Sequence, residues 1–219
     1  MNSTEKWRAY YSPVGRIRML AGNPALDLAN TFHWRKFEWV DFLPDYLSLV
    51  GWSVCAQLLK ESEAHELRRV AEKHPSEAAD VLQQWKNLRT ALKSWLYKID
   101  GLEPLERNNA VDLDETTQLF AKISSLTANV QLDEYFAIEM RANKSPDISL
   151  PLLRGAFEIW RLVELPPNAI IRQCQADQCG GFFLDESRAK PRRWCSMDSC
   201  GNRAKATRHR TTNQKIIPI

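Results

Sequence analysis

The sequence predicts an α+β protein: a mainly helical N-terminal domain with a small β-hairpin, followed by a small ββα-like C-terminal module that a metal would fold. Three observations carry this. Residues 76–99 and 149–165 repeat apolar side chains every three or four positions, which marks helices packed on one face. Residues 126–140 instead alternate, through Leu126, Ala128, Val130 and Leu132 and then Phe136, Ile138 and Met140, so a hairpin turning at Asp133-Glu134 is expected. Near the C-terminus, Cys174 and Cys179, then Cys195 and Cys200, form two C-x4-C pairs separated by fifteen residues.

Taken in order, Arg16–Leu20 is a short extended candidate ended by Gly22-Asn23-Pro24, a turn signal. Ala25–Trp34 reads as helical, with Asp27, Asn30, Thr31 and Trp34 on one face and Leu28 and Phe32 on another. Asp41–Val54 reads as a second helix with an apolar stripe of Phe42, Leu43, Tyr46, Leu47 and Val50, and with Pro44 in its first turn. Ser76–Ile99 is the longest helix, with Ser76 as its cap and Gly101 after its end. A shorter helix is expected over Asp112–Ile123. The last body helix starts at Ser149-Leu-Pro151 and stops at Pro166-Pro167, which sets the division into residues 1–165 and 166–219.

The 219 residues, 44% hydrophobic and 26% charged, are enough for one ordinary domain plus a small appendage. No apolar run reaches eighteen residues, and Met1-Asn-Ser-Thr-Glu-Lys6 lacks the apolar stretch of a signal peptide. A cytoplasmic protein off the membrane is therefore expected, where cysteines stay reduced and serve more often as metal ligands than as disulfides. The fifth cysteine, Cys55, lies in an apolar stretch and reads as a small packing residue.

Four thiolates in short-spaced pairs can converge tetrahedrally on Zn²⁺ at about 2.3 Å. A disulfide pair would need an oxidising compartment, and an iron–sulfur cluster suits this spacing less well than zinc. With sulfur at all four positions no coordination site is left for substrate, so the expected Zn²⁺ is a single structural ion. Residues 166–219 hold few large apolar side chains, and metal binding supplies the folding free energy that burial cannot. Within the module, Ile170–Arg172 and Gly181–Leu184 read as strands and Asp198–Arg210 as a helix. On its wheel Ala204 and Thr207 fall on the cysteine side, and Asn202, Lys205 and His209 on the opposite one.

Charge is distributed unevenly. Residues 170–219 carry ten Lys/Arg against four Asp/Glu, a net +6, while the remainder carries twenty against twenty-three, a net −3. A zinc tetrathiolate would lower the first figure to +4 without removing its sign. A basic end on a mildly acidic body points to nucleic acid. The residues expected to meet double-stranded DNA are Arg188, Lys190, Arg192, Arg193, Arg203, Lys205, Arg208, His209 and Arg210. No helix-turn-helix or two-Cys, two-His pattern fixes how a base would be read.

The run Trp194-Cys-Ser-Met-Asp-Ser-Cys-Gly-Asn-Arg203, preceded by Phe183-Leu-Asp-Glu-Ser-Arg188, resembles the CGNR zinc-finger family, whose name motif stands at Cys200-Gly201-Asn202-Arg203. Gly22-Asn-Pro-Ala-Leu-Asp-Leu-Ala-Asn-Thr31 resembles the opening of the ABATE domain that precedes this finger in many bacterial proteins, and Val40-Asp-Phe-Leu43, Trp52 and Leu88-Arg-Thr-Ala-Leu92 fit that architecture. The resemblance implies a bacterial, stress-induced transcriptional regulator with a zinc- and DNA-binding finger at 170–212. Residues 1–165 would then sense a small molecule.

Elsewhere the chain lacks G-x-S-x-G, H-E-x-x-H, Walker A and G-x-G-x-x-G motifs, so no enzymatic activity is expected. Asp27, Asn30 and Thr31 are the one polar trio of the body with convergent spacing. They read either as a helix-start hydrogen-bond network or as contacts to a small-molecule effector. A regulator of palindromic sites would act as a homodimer. The competing reading is a protein- or RNA-interaction module in which zinc serves structure alone.

Overall fold

A computed structural model describes residues 9–12, 15–35, 38–98, 121, 123–125, 147–165, 169–177, 179–189 and 191–214. The chain opens with an antiparallel hairpin, β1 (Ala9–Ser12) and β2 (Gly15–Arg18). Gly22, at φ +75°, makes the turn into α1 (Pro24–Ala29), a conformation that costs glycine little. Asn23 caps α1, its Oδ1 accepting from Ala25 N at 2.9 Å and Leu26 N at 3.3 Å, with Pro24 at the first helical position.

The helix expected over Ala25–Trp34 is half replaced. It ends at Ala29, and β3 (Phe32–Arg35) pairs antiparallel with β4 (Glu38–Asp41), Phe32 opposite Asp41 and Trp34 opposite Trp39. Two forces stop it. Thr31 Oγ1 donates to Leu28 O at 2.7 Å, diverting a helix carbonyl. The aromatic and β-branched residues of β3 and β4 also favour a pleated surface over a helix. The second helix is shifted for a related reason. Asp41 ends β4 and accepts from Leu43 N at 3.0 Å, so α2 spans Tyr46–Cys55, capped by Asp45 Oδ1 on Ser48 N at 2.7 Å. Pro44 precedes that cap and lies outside the helix.

Helix α3 (Glu61–Lys73) has no counterpart in the sequence reading. Its buried stripe is only Ala64, Leu67 and Ala71, too small and too polar in its surroundings to stand out. Helix α4 (Pro75–Lys98) follows the expected periodicity, with Pro75 rather than Ser76 opening it, and α5 spans Leu150–Val163 as expected. Residues 123–125 are helical; the rest of the 112–123 helix and the 126–140 hairpin lie, apart from residue 121, outside the described residues. So do Pro166-Pro167 and Ile99.

The core forms where α1, α2, α4 and α5 meet around Trp52 and Trp85, which pack edge to face at 5.2 Å. Helices α4 and α5 approach so closely that a Cβ on Gly155 would stand 2.4 Å from the Trp85 ring. The C-terminal hairpin, β5 (Ile170–Gln173) with β6 (Phe182–Asp185), joins this core. All four residues of β6 are buried because the strand has two apolar neighbours. Phe182 and Leu184 belong to the main core, and Phe183 to a second cluster built around the cysteines. A wide π-type turn (Met197–Gly201) then leads into α6 (Asn202–Gln214), completing the expected ββα order.

Candidate metal centre and basic face

Cys174 follows directly on β5, its amide donating to Gly181 O at 2.8 Å, and the Cys179 amide closes the first loop on Ala176 O at 2.9 Å. Gln175 N donates to Arg193 O at 3.0 Å, tying this loop to the segment that carries Cys195. Cys200 sits in the π-type turn, where Gly201 N reaches Ser196 O at 2.9 Å. This i→i−5 bond widens the turn enough to carry Cys200 round to Cys195.

The four Sγ atoms lie within 4.8 Å of one another, with Cys179–Cys195 at 3.9 Å and Cys195–Cys200 at 3.6 Å. A zinc tetrahedron with bonds of about 2.3 Å requires sulfurs about 3.8 Å apart, so the donor set fits Zn²⁺. Two donors support the sulfurs from outside: Cys195 N on Cys174 Sγ at 3.4 Å and Arg203 Nη2 on Cys200 Sγ at 3.1 Å. As thiols the four could not ionise together. Hydrogen bonds from Cys174, Cys179 and Cys195 hold Cys200 far below the usual thiol range. Cys179 and Cys195 are pushed up, each first by its bond to Cys174. A divalent cation removes that conflict by letting all four ionise. The site holds one structural zinc on Cys174, Cys179, Cys195 and Cys200.

Residues 171–212 match the family model of the CGNR zinc finger, and residues 22–128 match that of ABATE, described as "Putative stress-induced transcription regulator". The chain therefore carries a CGNR zinc finger behind an ABATE domain. No curated protein matches it.

The basic residues of the finger divide by location. Arg188, Arg193, Arg203, Lys205, Arg208, His209 and Arg210 are exposed, and Lys190 lies outside the described residues. Arg192 is turned inward. Its guanidinium donates to Trp194 O at 3.0 Å, to Cys195 O and, at the limit of 3.5 Å, to Leu20 O, and it lies 4.6 Å above the Phe183 ring. It thus braces the second cysteine pair against the body and adds nothing to the exposed set. Its partner was equally hidden in the sequence: Asp185, fully buried, accepts from Arg192 N at 3.1 Å, Arg172 Nε at 3.0 Å and Ser187 N at 3.1 Å. Burial raises the Asp185 carboxyl, but those bonds outweigh it and hold the group below its ordinary range. Ala204 and Thr207 face the cysteine loops as the wheel places them. With Arg193, Trp194, Arg203 and Arg208 they line a cleft of about 280 Å³.

In the ABATE region, Asp27, Asn30 and Thr31 are all engaged within the protein. Asp27 Oδ1 accepts from Leu20 N at 3.0 Å and Ala21 N at 3.1 Å. Asn30 exchanges two 2.8 Å bonds with the Phe182 backbone, like one rung of a sheet, fixing the finger hairpin to α1. Thr31 Oγ1 accepts from Arg89 at 3.0 Å. Arg89 is buried, holds both carboxylate oxygens of Asp41 at 2.9 Å and stacks 5.2 Å over Phe32. One turn on, Lys93 Nζ donates to Phe32 O at 2.6 Å and lies against the stacked rings of Phe32 and Trp39. Burial, and then the Arg89 charge, push the Lys93 ammonium down to about 7.

Burial likewise pushes the Asp27 carboxyl up to about 7, against the two amides that bond its ionised form. A raised carboxyl contributes stability below its unfolded value of 3.8 and loses it as pH climbs to about 7. Asp27→Asn keeps an Oδ1 for both amides and removes the charge. Urea unfolding at pH 5 and pH 8 is expected to show the variant gaining on the parent by about 1–3 kcal/mol at the higher pH. Parallel pH profiles would mean that Asp27 ionises without cost.

Proposed function

We propose that this chain is a cytoplasmic, non-catalytic transcription regulator that binds double-stranded DNA through its zinc finger and senses a small effector through residues 1–165. The observation that carries the DNA-binding reading is the placement of charge. Arg203, Lys205, Arg208, His209 and Arg210 are exposed on one helix, and the zinc cluster anchors that helix at its first turn. Such a surface neutralises phosphates and releases their counterions, which makes affinity strongly salt-dependent. The effector reading is supported by the cationic cluster beside Asp41. Arg89 and Lys86 share its carboxylate and Lys93 stands against Phe32 and Trp39 one turn on, so an anionic effector fits the charge there. Two copies on a palindromic site complete the proposal.

Fluorescence anisotropy with a labelled duplex across a salt series tests it. The logarithm of the affinity is expected to fall linearly with the logarithm of salt, with a slope of about −0.9 per phosphate engaged. Arg208→Ala, in protein that still carries its zinc, is expected to weaken binding and shallow that slope by about one. Absent or salt-insensitive binding would favour the protein- or RNA-interaction module instead.

A further inference from the structure

The exposed basic residues do not form one flat face. Arg193 comes from the segment before the second cysteine pair and Arg203 and Arg208 from α6, yet all three line the cleft between the first cysteine loop and α6. Arg193 and Arg203 are each held by a bond to the finger itself. Arg193 donates from Nε to Gln175 Oε1 at 2.7 Å, with its guanidinium 5.3 Å from the Trp194 ring centre. It is thus fixed by its inner nitrogen, and the edge that pairs with a phosphate is the one left over. Arg203 is fixed by Nη2 on Cys200 Sγ, which links the cleft to the metal centre. A fixed guanidinium loses little conformational entropy on binding, and its planar fork matches two oxygens of one phosphate.

We infer that this cleft is a built anchoring site for a single backbone phosphate of duplex DNA, gripped by Arg193, Arg203 and Arg208, rather than part of a diffuse electrostatic surface. The inference rests on the DNA-binding reading above and adds the residue set and the geometry to it. The cleft also contains Asp177, exposed on its rim. Its carboxylate repels an incoming phosphate and so lowers affinity at this one point.

Charge-preserving substitutions separate the two arrangements, because a lysine keeps the charge and loses the fork. Duplex affinity is measured at fixed ionic strength for the zinc-loaded full chain, for Arg193→Lys, for Asp177→Asn and for Arg68→Lys, an exposed arginine of α3 outside the finger. Arg193→Lys is expected to lose about tenfold and Asp177→Asn to gain several-fold, while Arg68→Lys binds like the parent. Native mass spectrometry confirms one zinc in each. If Arg193→Lys binds as the parent and Arg68→Lys do, the anchoring site is overturned and the general DNA-binding reading stands. If the parent does not bind duplex at all, both are overturned.

Discussion

Cys200→Ser is expected to abolish zinc binding and to melt helix α6 while leaving the β5–β6 hairpin in place. The reason is the unequal support of the two halves of the finger. Helix α6 is short and polar on every described face, and isolated helices of this length are marginal in water. Its anchor is the zinc cluster, whose ligation contributes on the order of 10 kcal/mol to folding in small zinc modules. The hairpin has independent support: Phe182 and Leu184 are buried in the main core, Asn30 brackets the Phe182 backbone, and Leu184 N donates to Ala21 O at 2.7 Å. Amide hydrogen exchange should therefore show residues 202–214 losing protection and the Phe182 and Leu184 amides keeping theirs. Protection retained along α6 in the zinc-free variant would show that packing, not metal, holds the helix.

The second large effect is expected at Arg89. Arg89→Ala removes the two-pronged pair with Asp41, the bond to Thr31 and the contact over Phe32, all of which hold the β3–β4 hairpin to α4. Breaking a buried pair costs about 3–5 kcal/mol, and the partial exposure of Asp41 places this one near about 3 kcal/mol. Arg89→Lys should recover part of that, since one ammonium cannot hold both carboxylate oxygens. Equilibrium urea unfolding reads both. A loss below about 0.5 kcal/mol for Arg89→Ala would mean that the hairpin is secured by its apolar contacts alone.

The features legible in the sequence are those set by short-range repetition. Cysteine spacing gave away the zinc ligands, and the stripes of α4 and α5 were visible because Val81, Trp85, Leu88 and Leu92, or Leu153, Phe157 and Trp160, recur within single helices. What escaped depends on distant partners. Thr31 reads as helical until Arg89, 58 residues on, and the facing strand Glu38–Asp41 are known. Arg192 is indistinguishable in sequence from its exposed neighbour Arg193. Only the fold brings Asp185, Phe183 and the Leu20 carbonyl around it. Asn30 read as one member of a polar helix face because its partner, Phe182, is 152 residues away. The spacing of Asp27, Asn30 and Thr31 was real, but each side chain serves a different neighbour.

The same bonds give the finger its place. Asn30 of the ABATE region, with Leu20 and Ala21 just ahead of that region, holds the hairpin and braces the second cysteine pair. Metal, hairpin and body therefore fix where α6 stands, and α6 carries most of the finger's exposed positive charge among the described residues. The proposed binding to DNA should then depend on the zinc that orders this helix. Duplex affinity is measured on one preparation as loaded, after removal of zinc by a chelator, and after zinc is restored. Binding is expected to be lost on removal and to return with the metal. Equal affinity in all three states would mean that DNA is bound without the metal-ordered helix.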